Sequence, residues 1–600
     1  MGWHISIDME DVAPATTRRG LLASVGAVGA SSLAGCSERL WWRAENVGPD
    51  QIELTIKTVP TDDDIAAATI MSRLRENFRD AGIAVTHEPV PEPGIYRDVL
   101  LEGDYDVFVL RHPGLDGYDA LRGLLHSDFV NESGWQNPFH FSNLTVDDLL
   151  EEQRRTTGHD RREPIVELLE FLCQTVPYTT VAFPTRIGGR HERIDVERPP
   201  FRALDYLDLV TRESADDSRN GPLEVGVFGG DLADRLNPLA VGHSGIDGLI
   251  GLLYDPLVRR GTRDTLESGN EYGTAEIPWL AEQIEWNDSA DQLRADISLR
   301  EGLEWHDGVD LDANDVVFTF RLLRDTSRGE IEDGLPAPRY RSRQTVAETV
   351  DAVDSRTVRF SFGETAREVA RRALSLPILP EHVWGPRTDV VANYRTEALA
   401  TDNEDPVGSG LFQLESVAMD EVVLEPFSDH VFREETTDRP DVIEAASQLP
   451  EIRFQLAPNA GSMIESLLEG DIDVTGDGIP PGNASSVTGH EDVSAITAST
   501  NSFYMIGYNH HHSELGNPRF RLLLSQLIDR SHVVSEVFDG FAEPAISPGS
   551  LLGIADGEFA ADAEMPVLEF PGSNGEIDDE LVRSLFQDAG YRYEDGALLG

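Results

Sequence analysis

Apolar side chains along this chain switch repeatedly between period-two and helical spacing. Ile52, Leu54 and Ile56 alternate with polar residues, which predicts a half-buried strand. Ala67, Ile70, Met71, Leu74 and Phe78 then recur at helical spacing. Asp80-Ala-Gly82 predicts the end of that helix, since glycine suits a left-handed cap. Ile83-Ala-Val85, Asp106-Val-Phe-Val-Leu110 and Leu223-Glu-Val-Gly-Val-Phe228 predict further strands. Phe520, Leu523, Leu524, Leu527 and Ile528 trace another amphipathic helix. Alternation of the two periods without repeats predicts α/β layers. Residues 212–221 are polar and aperiodic, and predict a linker.

The N-terminus breaks this pattern. Arg18-Arg19 precede a short run rich in Ala and Gly that ends at Leu33-Ala-Gly-Cys36. The run is too short to span a bilayer, and it predicts a twin-arginine export signal with a lipobox. Cys36 would then carry lipid, anchoring the protein to the outer face of the cell membrane. The competing reading is an ordinary soluble N-terminus with a chance arginine pair. No later segment holds eighteen uninterrupted apolar residues. The second cysteine, Cys173, lies in the apolar helical stretch from Pro164, which predicts a buried thiol rather than a nucleophile.

Charge changes the picture further. The net charge is −59, from 108 acidic and 49 basic residues, and Lys57 is the one lysine. Such charge strains a compact fold by self-repulsion, which salt at about 1 M screens to a Debye length of about 3 Å. A halophilic protein working in brine is expected, so its urea midpoint should fall as salt is removed; an unchanged midpoint would refute this. This composition argues against nucleic-acid binding, which needs basic patches. Disordered acidic tails are a poor account, because the charge is spread evenly and the chain is 40% apolar.

No constellation predicts catalysis: there is no Walker loop, no Gly-x-Ser-x-Gly elbow and no His-Glu-x-x-His helix. No cofactor is expected. His510-His-His512 is the one histidine cluster; it reads as a surface loop after a strand, with a loose metal site as the alternative.

Between 251 and 320 the motifs gather. Tyr254-Asp-Pro-Leu-Val258 is followed by Ile277-Pro-Trp-Leu-Ala-Glu282, Leu299-Arg-Glu-Gly-Leu-Glu-Trp-His-Asp-Gly308 and Leu311-Asp-Ala-Asn-Asp-Val-Val-Phe-Thr-Phe320. Downstream come Asp405-Pro-Val-Gly-Ser-Gly410, Leu467-Leu-Glu-Gly-Asp-Ile-Asp473, Tyr504-Met-Ile-Gly-Tyr-Asn509, Asn517-Pro-Arg-Phe-Arg521, Leu527-Ile-Asp-Arg530 and Asp588-Ala-Gly-Tyr-Arg-Tyr-Glu-Asp-Gly596. This series resembles family 5 of the extracellular solute-binding proteins, the dipeptide, oligopeptide and nickel receptors of ABC importers. Most of these motifs also have a purely structural reading as turns that set backbone geometry.

Elements that follow the last motif in that family stand here at the front: Ile52–Thr58, Ala66–Asp80, Gly82-Ile-Ala-Val85, Gly103–Phe108, Asn143–Glu152 and Val176-Pro-Tyr178. The order therefore looks circularly permuted, which is tolerated where joined ends lie close and the break falls in a loop. A gene fusion or sequence error is the rival account. The resemblance implies a two-lobed, periplasmic-binding-protein-like α/β fold (type II) with mixed sheets and hinge strands. Its expected divisions are a signal over 1–36, a linker over 37–50, and the second lobe's C-terminal half with the return to the first lobe over 51–211. After the 212–221 linker come the first lobe over 222–505, with a subdomain at about 250–400, and the start of the second lobe over 506–600.

In peptide-binding members the loop after the strand at 106–110 supplies an aspartate to the ligand's ammonium. By resemblance that residue is Asp116, with Asp119 second. Where an aromatic residue is usual, this chain has Arg111-His112. Arg111 either pairs with a ligand carboxylate or phosphate, or neutralises Asp116 structurally. Trp135 and Tyr508 are candidate cleft aromatics, with core packing as the alternative; Asn509 is placed near the hinge. The implied function is a monomeric, non-catalytic receptor of a peptide-like or other small solute that delivers it to an ABC permease. A sensory or scaffold protein keeping the fold, or a secreted α/β hydrolase, are the alternatives.

Overall fold

The computed structural model describes residues 50–600, apart from 216–220, 229–231, 233–235, 241–246, 263–273, 290–291, 332–333, 393–394, 434–438, 441–442, 444–449, 556–558, 560–562 and 564–567. The expected leader and Cys36 lie outside the described residues. Among the described residues no helix is long and apolar enough to cross a membrane.

Two large mixed sheets organise the chain. One runs in the order Ala84–Pro89, Glu53–Thr58, Val107–His112, Phe503–Tyr508, Tyr178–Pro184, Ala542–Pro544. The other runs Phe412–Val417, Glu421–Pro426, Ile452–Ala457, Leu223–Phe228, Val474–Thr475, Arg186–His191, Val493–Ala498. Each has its own core: Ile52–Phe183 and Phe503–Leu598 share one, while most buried apolar residues between Ile194 and Ile496 share another. The protein is a two-lobed α/β fold. Residues 281–363 add a four-stranded antiparallel sheet to the first lobe.

The chain crosses between the lobes at Thr185 and again at 499–502. The two crossings are laced together, since Thr500 Oγ1 donates to Pro184 O at 2.9 Å. Phe503–Tyr508 lies wholly in the second-lobe sheet, so this crossing falls before 503 rather than after 505 as expected. The expected 212–221 linker also opens as helix. Ala203–Ala215 continues through its first four residues, because Leu204, Leu207 and Val210 bind that helix to the first-lobe core.

Local pattern explains the elements. In the helix Ile65–Asp80 all five apolar positions of the predicted stripe are buried, and Asp64 caps it by accepting from Ala67 N at 3.0 Å. Gly82, at φ +88°, closes it, and Ile83 N donates to Phe78 O at 3.0 Å. A Cβ on Gly82 would also lie 2.5 Å from Gly596 O. There the C-terminal hairpin crosses the start of the sheet: Ile52 N donates to Leu598 O at 2.9 Å and Gly600 N to Asp50 O at 3.1 Å. Cys173 is buried in the helix Arg162–Thr175, and burial pushes its thiol up to about 12, which leaves it unreactive.

Candidate functional site

Charged side chains of both lobes lie beside the crossings, with Arg111 near enough to Arg186 to lower its guanidinium beyond the effect of burial. On the second lobe, the strand Val107–His112 ends by presenting Arg111, whose Nη2 and Nε donate to Ser502 Oγ at 2.8 and 3.2 Å. Asp64, at the start of its helix, accepts from Tyr504 Oη at 3.0 Å. On the first lobe, Arg186 follows the crossing at Thr185 and donates through Nη2 to Gly476 O. Its guanidinium lies 5.3 Å from the Phe201 ring centroid, and its Nε is buried without an acceptor among the described residues. Asp477 accepts from Phe228 N at 2.9 Å.

Burial pushes the carboxyls of Asp64 and Asp477 up, against the pull of Arg111 on the first and Arg186 on the second. Burial likewise lowers Arg186, which Asp477 offsets. Half-enclosed, incompletely paired charged groups of this kind, drawn from two lobes, make this the candidate recognition site. The sign is testable. A carboxyl raised in the folded state costs stability above its unfolded pKa of about 4 and none below it. Asp477→Asn should therefore stabilise the protein at pH 7 relative to the unsubstituted chain, and lose that advantage towards pH 4. An advantage unchanged with pH in urea titrations would refute it.

The expected ligand aspartates are engaged elsewhere. Asp116 meets three arginines of the first lobe: Arg372 Nη2 at 2.5 Å, Arg343 Nη2 at 3.4 Å and Arg260 Nη1 at 3.5 Å. Burial alone would raise its carboxyl, yet Arg372, Arg343 and Arg260 hold it far below the usual range. Asp119 is 3% exposed and pairs with Arg372 Nη1 and, at 3.5 Å, Arg154 Nε. The Asp116 loop thus pins one lobe to the other, alongside Glu132, which takes both Nε and Nη2 of Arg341 at 2.7 Å. Arg111 does not neutralise Asp116; its hydrogen bonds go to Ser502.

The other candidates are mostly packing. His112 stacks on Phe503 at 4.7 Å, meets Trp135 edge-on at 4.6 Å, and is pushed down to about 3 by burial, so it is neutral. Trp135 is half-buried against it. Tyr508 is fully buried, its hydroxyl 2.8 Å from Thr179 Oγ1, so core packing describes it. Asn509 Nδ2 donates to Tyr105 O at 2.8 Å and ties down the strand end. His510 binds Pro177 O through Nε2 at 3.0 Å, and burial pushes it down to about 3, while His511 stacks on His140. No group of three metal-ligating side chains occurs among the described residues.

Sequence reasoning missed Asp64, Arg186, Asp477 and the three arginines on Asp116. One signal was available: Arg371-Arg372 interrupts an apolar run from Val369 to Leu379, where a buried cation needs a partner.

The model of the bacterial extracellular solute-binding proteins, family 5 Middle, matches residues 276–598. The chain belongs to this family. It is 24% identical over 321 residues to the oligopeptide-binding protein AppA of Bacillus subtilis, covering 53% of this chain and 52% of that one. It is 28% identical over 302 residues to the peptidoglycan-binding protein YepA of Agrobacterium fabrum, covering 48% and 42%. The chain spans about half the length of the curated relatives it matches. Among solved structures, B. subtilis AppA in complex with a nonapeptide aligns at 19% identity and TM-score 0.41, covering 63% of this chain and 65% of that one. NikZ from Campylobacter jejuni in complex with Ni(L-His) aligns at 16% and TM-score 0.40, covering 63% and 64%.

Proposed function

We propose that this protein is the extracellular solute receptor of an ABC importer. It holds a peptide-like or other small solute between its lobes and captures it by hinge closure, without a chemical step. The observation that carries this reading is the facing set Asp64, Arg111, Arg186 and Asp477, charged groups of both lobes gathered where the chain crosses between them. Native mass spectrometry of protein from its host is expected to show a retained solute, and an Arg111→Gln/Arg186→Gln variant should lose it. Equal retention by the variant would overturn the site, and no retained solute the reading. Membrane attachment through Cys36 belongs to the proposal; Cys36→Ser protein that still fractionates with membranes would refute it.

The permuted chain order belongs to this proposal as well. Supporting it are the Gly600–Asp50 hydrogen bond and a sheet that places Phe503–Tyr508 between Val107–His112 and Tyr178–Pro184. A gene reordered as 221–600, a short Gly-Ser linker, then 50–215 should yield a protein with the same urea midpoint. Failure to fold would refute the equivalence of the junction.

A further inference from the structure

The arginines that hold Asp116 outnumber the carboxylates they meet. Three guanidiniums, of Arg260, Arg343 and Arg372, face the one carboxylate of Asp116, and Arg154 joins Arg372 on Asp119, in a chain of net charge −59. The pairing is uneven as well. Arg372 is fully engaged, with Nε and Nη2 on Asp116 and Nη1 on Asp119. Arg343 and Arg260 reach Asp116 only at 3.4 and 3.5 Å, and their side chains remain 38% and 26% exposed. Nε of Arg260 and Nη2 of Arg154 are buried with no acceptor among the described residues. Buried guanidinium donors without acceptors are costly, and here they lie on arginines that flank the two carboxylates of Asp116 and Asp119, a setting that suits an oxyanion.

We propose that this seam between the lobes is an oxyanion-binding site, taking a carboxylate or phosphate group, and that Asp116 is its built-in occupant. Arg343 and Arg260 supply the exposed face on which an incoming anion docks. Arg372 stays on Asp119 while Asp116 yields its place. The site exists whether or not the cleft at Arg111 and Arg186 holds a solute, so this inference fails independently of the receptor reading.

The probe is inorganic phosphate, added at constant ionic strength to the purified full chain, with binding read by isothermal titration calorimetry. Saturable binding is expected, because a net charge of −59 repels phosphate everywhere else. Asp116→Asn removes the internal competitor and should tighten phosphate about tenfold; Arg343→Gln, at an exposed side chain, should weaken it about tenfold. No saturable binding to either the unsubstituted chain or Asp116→Asn would overturn the proposal. So would an Arg343→Gln affinity equal to that of the unsubstituted chain, and this variant decides alone if Asp116→Asn does not fold. A last arm separates the two sources of the anion. If the solute supplies it, phosphate displaces the retained solute seen by native mass spectrometry; if a free anion supplies it, both remain bound together.

Discussion

Replacing Arg372 with methionine is expected to destabilise the protein by about 3–5 kcal/mol, read as a lowered urea midpoint. The side chain is 6% exposed and is the hub of the seam, taking Asp119 on Nη1 and Asp116 on Nε and Nη2. Methionine fills much of the same volume but leaves Asp119, 4% exposed at its side chain, as a buried charge held only by long contacts, from Gln153 Nε2 at 3.3 Å and Arg154 Nε at 3.5 Å. The loss comes from that stranded charge rather than from the Coulomb energy of the pair, whose formation costs nearly as much desolvation as it returns. A change under about 1 kcal/mol would mean the seam opens to water at little cost.

The pH dependence has a definite sign. Asp116 and Asp119 are held below their ordinary value, burial being outweighed by Arg372, Arg343 and Arg260 for the first and by Arg154 and Arg372 for the second. Groups depressed in the folded state contribute stability above the unfolded carboxylate pKa of about 4, and that contribution is lost as pH falls through the folded values. The penalty of Arg372→Met should therefore be full at pH 7 and shrink below about pH 4. A penalty constant with pH would refute the ionic account.

Asp255→Ala should cost a similar about 3–5 kcal/mol, for a reason inside one lobe. Asp255 is fully buried; its Oδ1 takes Arg259 Nη2 at 2.6 Å and its Oδ2 lies 2.9 Å from His430 Nε2. Arg259 is 7% exposed and sits 4.4 Å over the Trp279 ring. With alanine at 255 its remaining acceptor is Gly251 O. Burial lowers the Arg259 guanidinium and Asp255 offsets this, so removing the carboxylate leaves the desolvation uncompensated. Asp255→Asn, which keeps a hydrogen-bonding side chain but no charge, should fall between the two. Equal urea midpoints for all three proteins would show that the pair contributes nothing. No ligand effect is expected, because Asp255 touches only the first-lobe core.

That last point separates two kinds of motif. Tyr254-Asp-Pro and the Trp305-His-Asp-Gly turn were legible because each is local. Asp255 reaches Arg259 four residues on, and Trp305 N and Gly308 N close the turn on Val309 O and Trp305 O. Cys173 was legible for the same reason, being one position on an apolar helical stripe. Asp116 was legible only as a residue type after a strand. Its closest partner, Arg372, lies 256 residues away in sequence and carried no mark of where it pointed. Arg111 was placed beside the cleft by the resemblance of its loop, but its partner, Ser502, 391 residues on, belongs to the crossing at 499–502.

By itself, the sequence determined the elements, the α/β class and the family. These rest on short-range spacing of apolar positions and on turns whose backbone geometry is written in Gly and Asp at fixed offsets. The tertiary structure alone decided which charges meet. In a chain with 108 carboxylates every arginine has many conceivable partners, and only the packing of two lobes, crossing at Thr185 and 499–502, selects Asp116 for Arg372 and leaves Arg186 and Asp477 incompletely paired. Electrostatic energy depends on distance and burial rather than on order along the chain, so those pairings had no local signature to read.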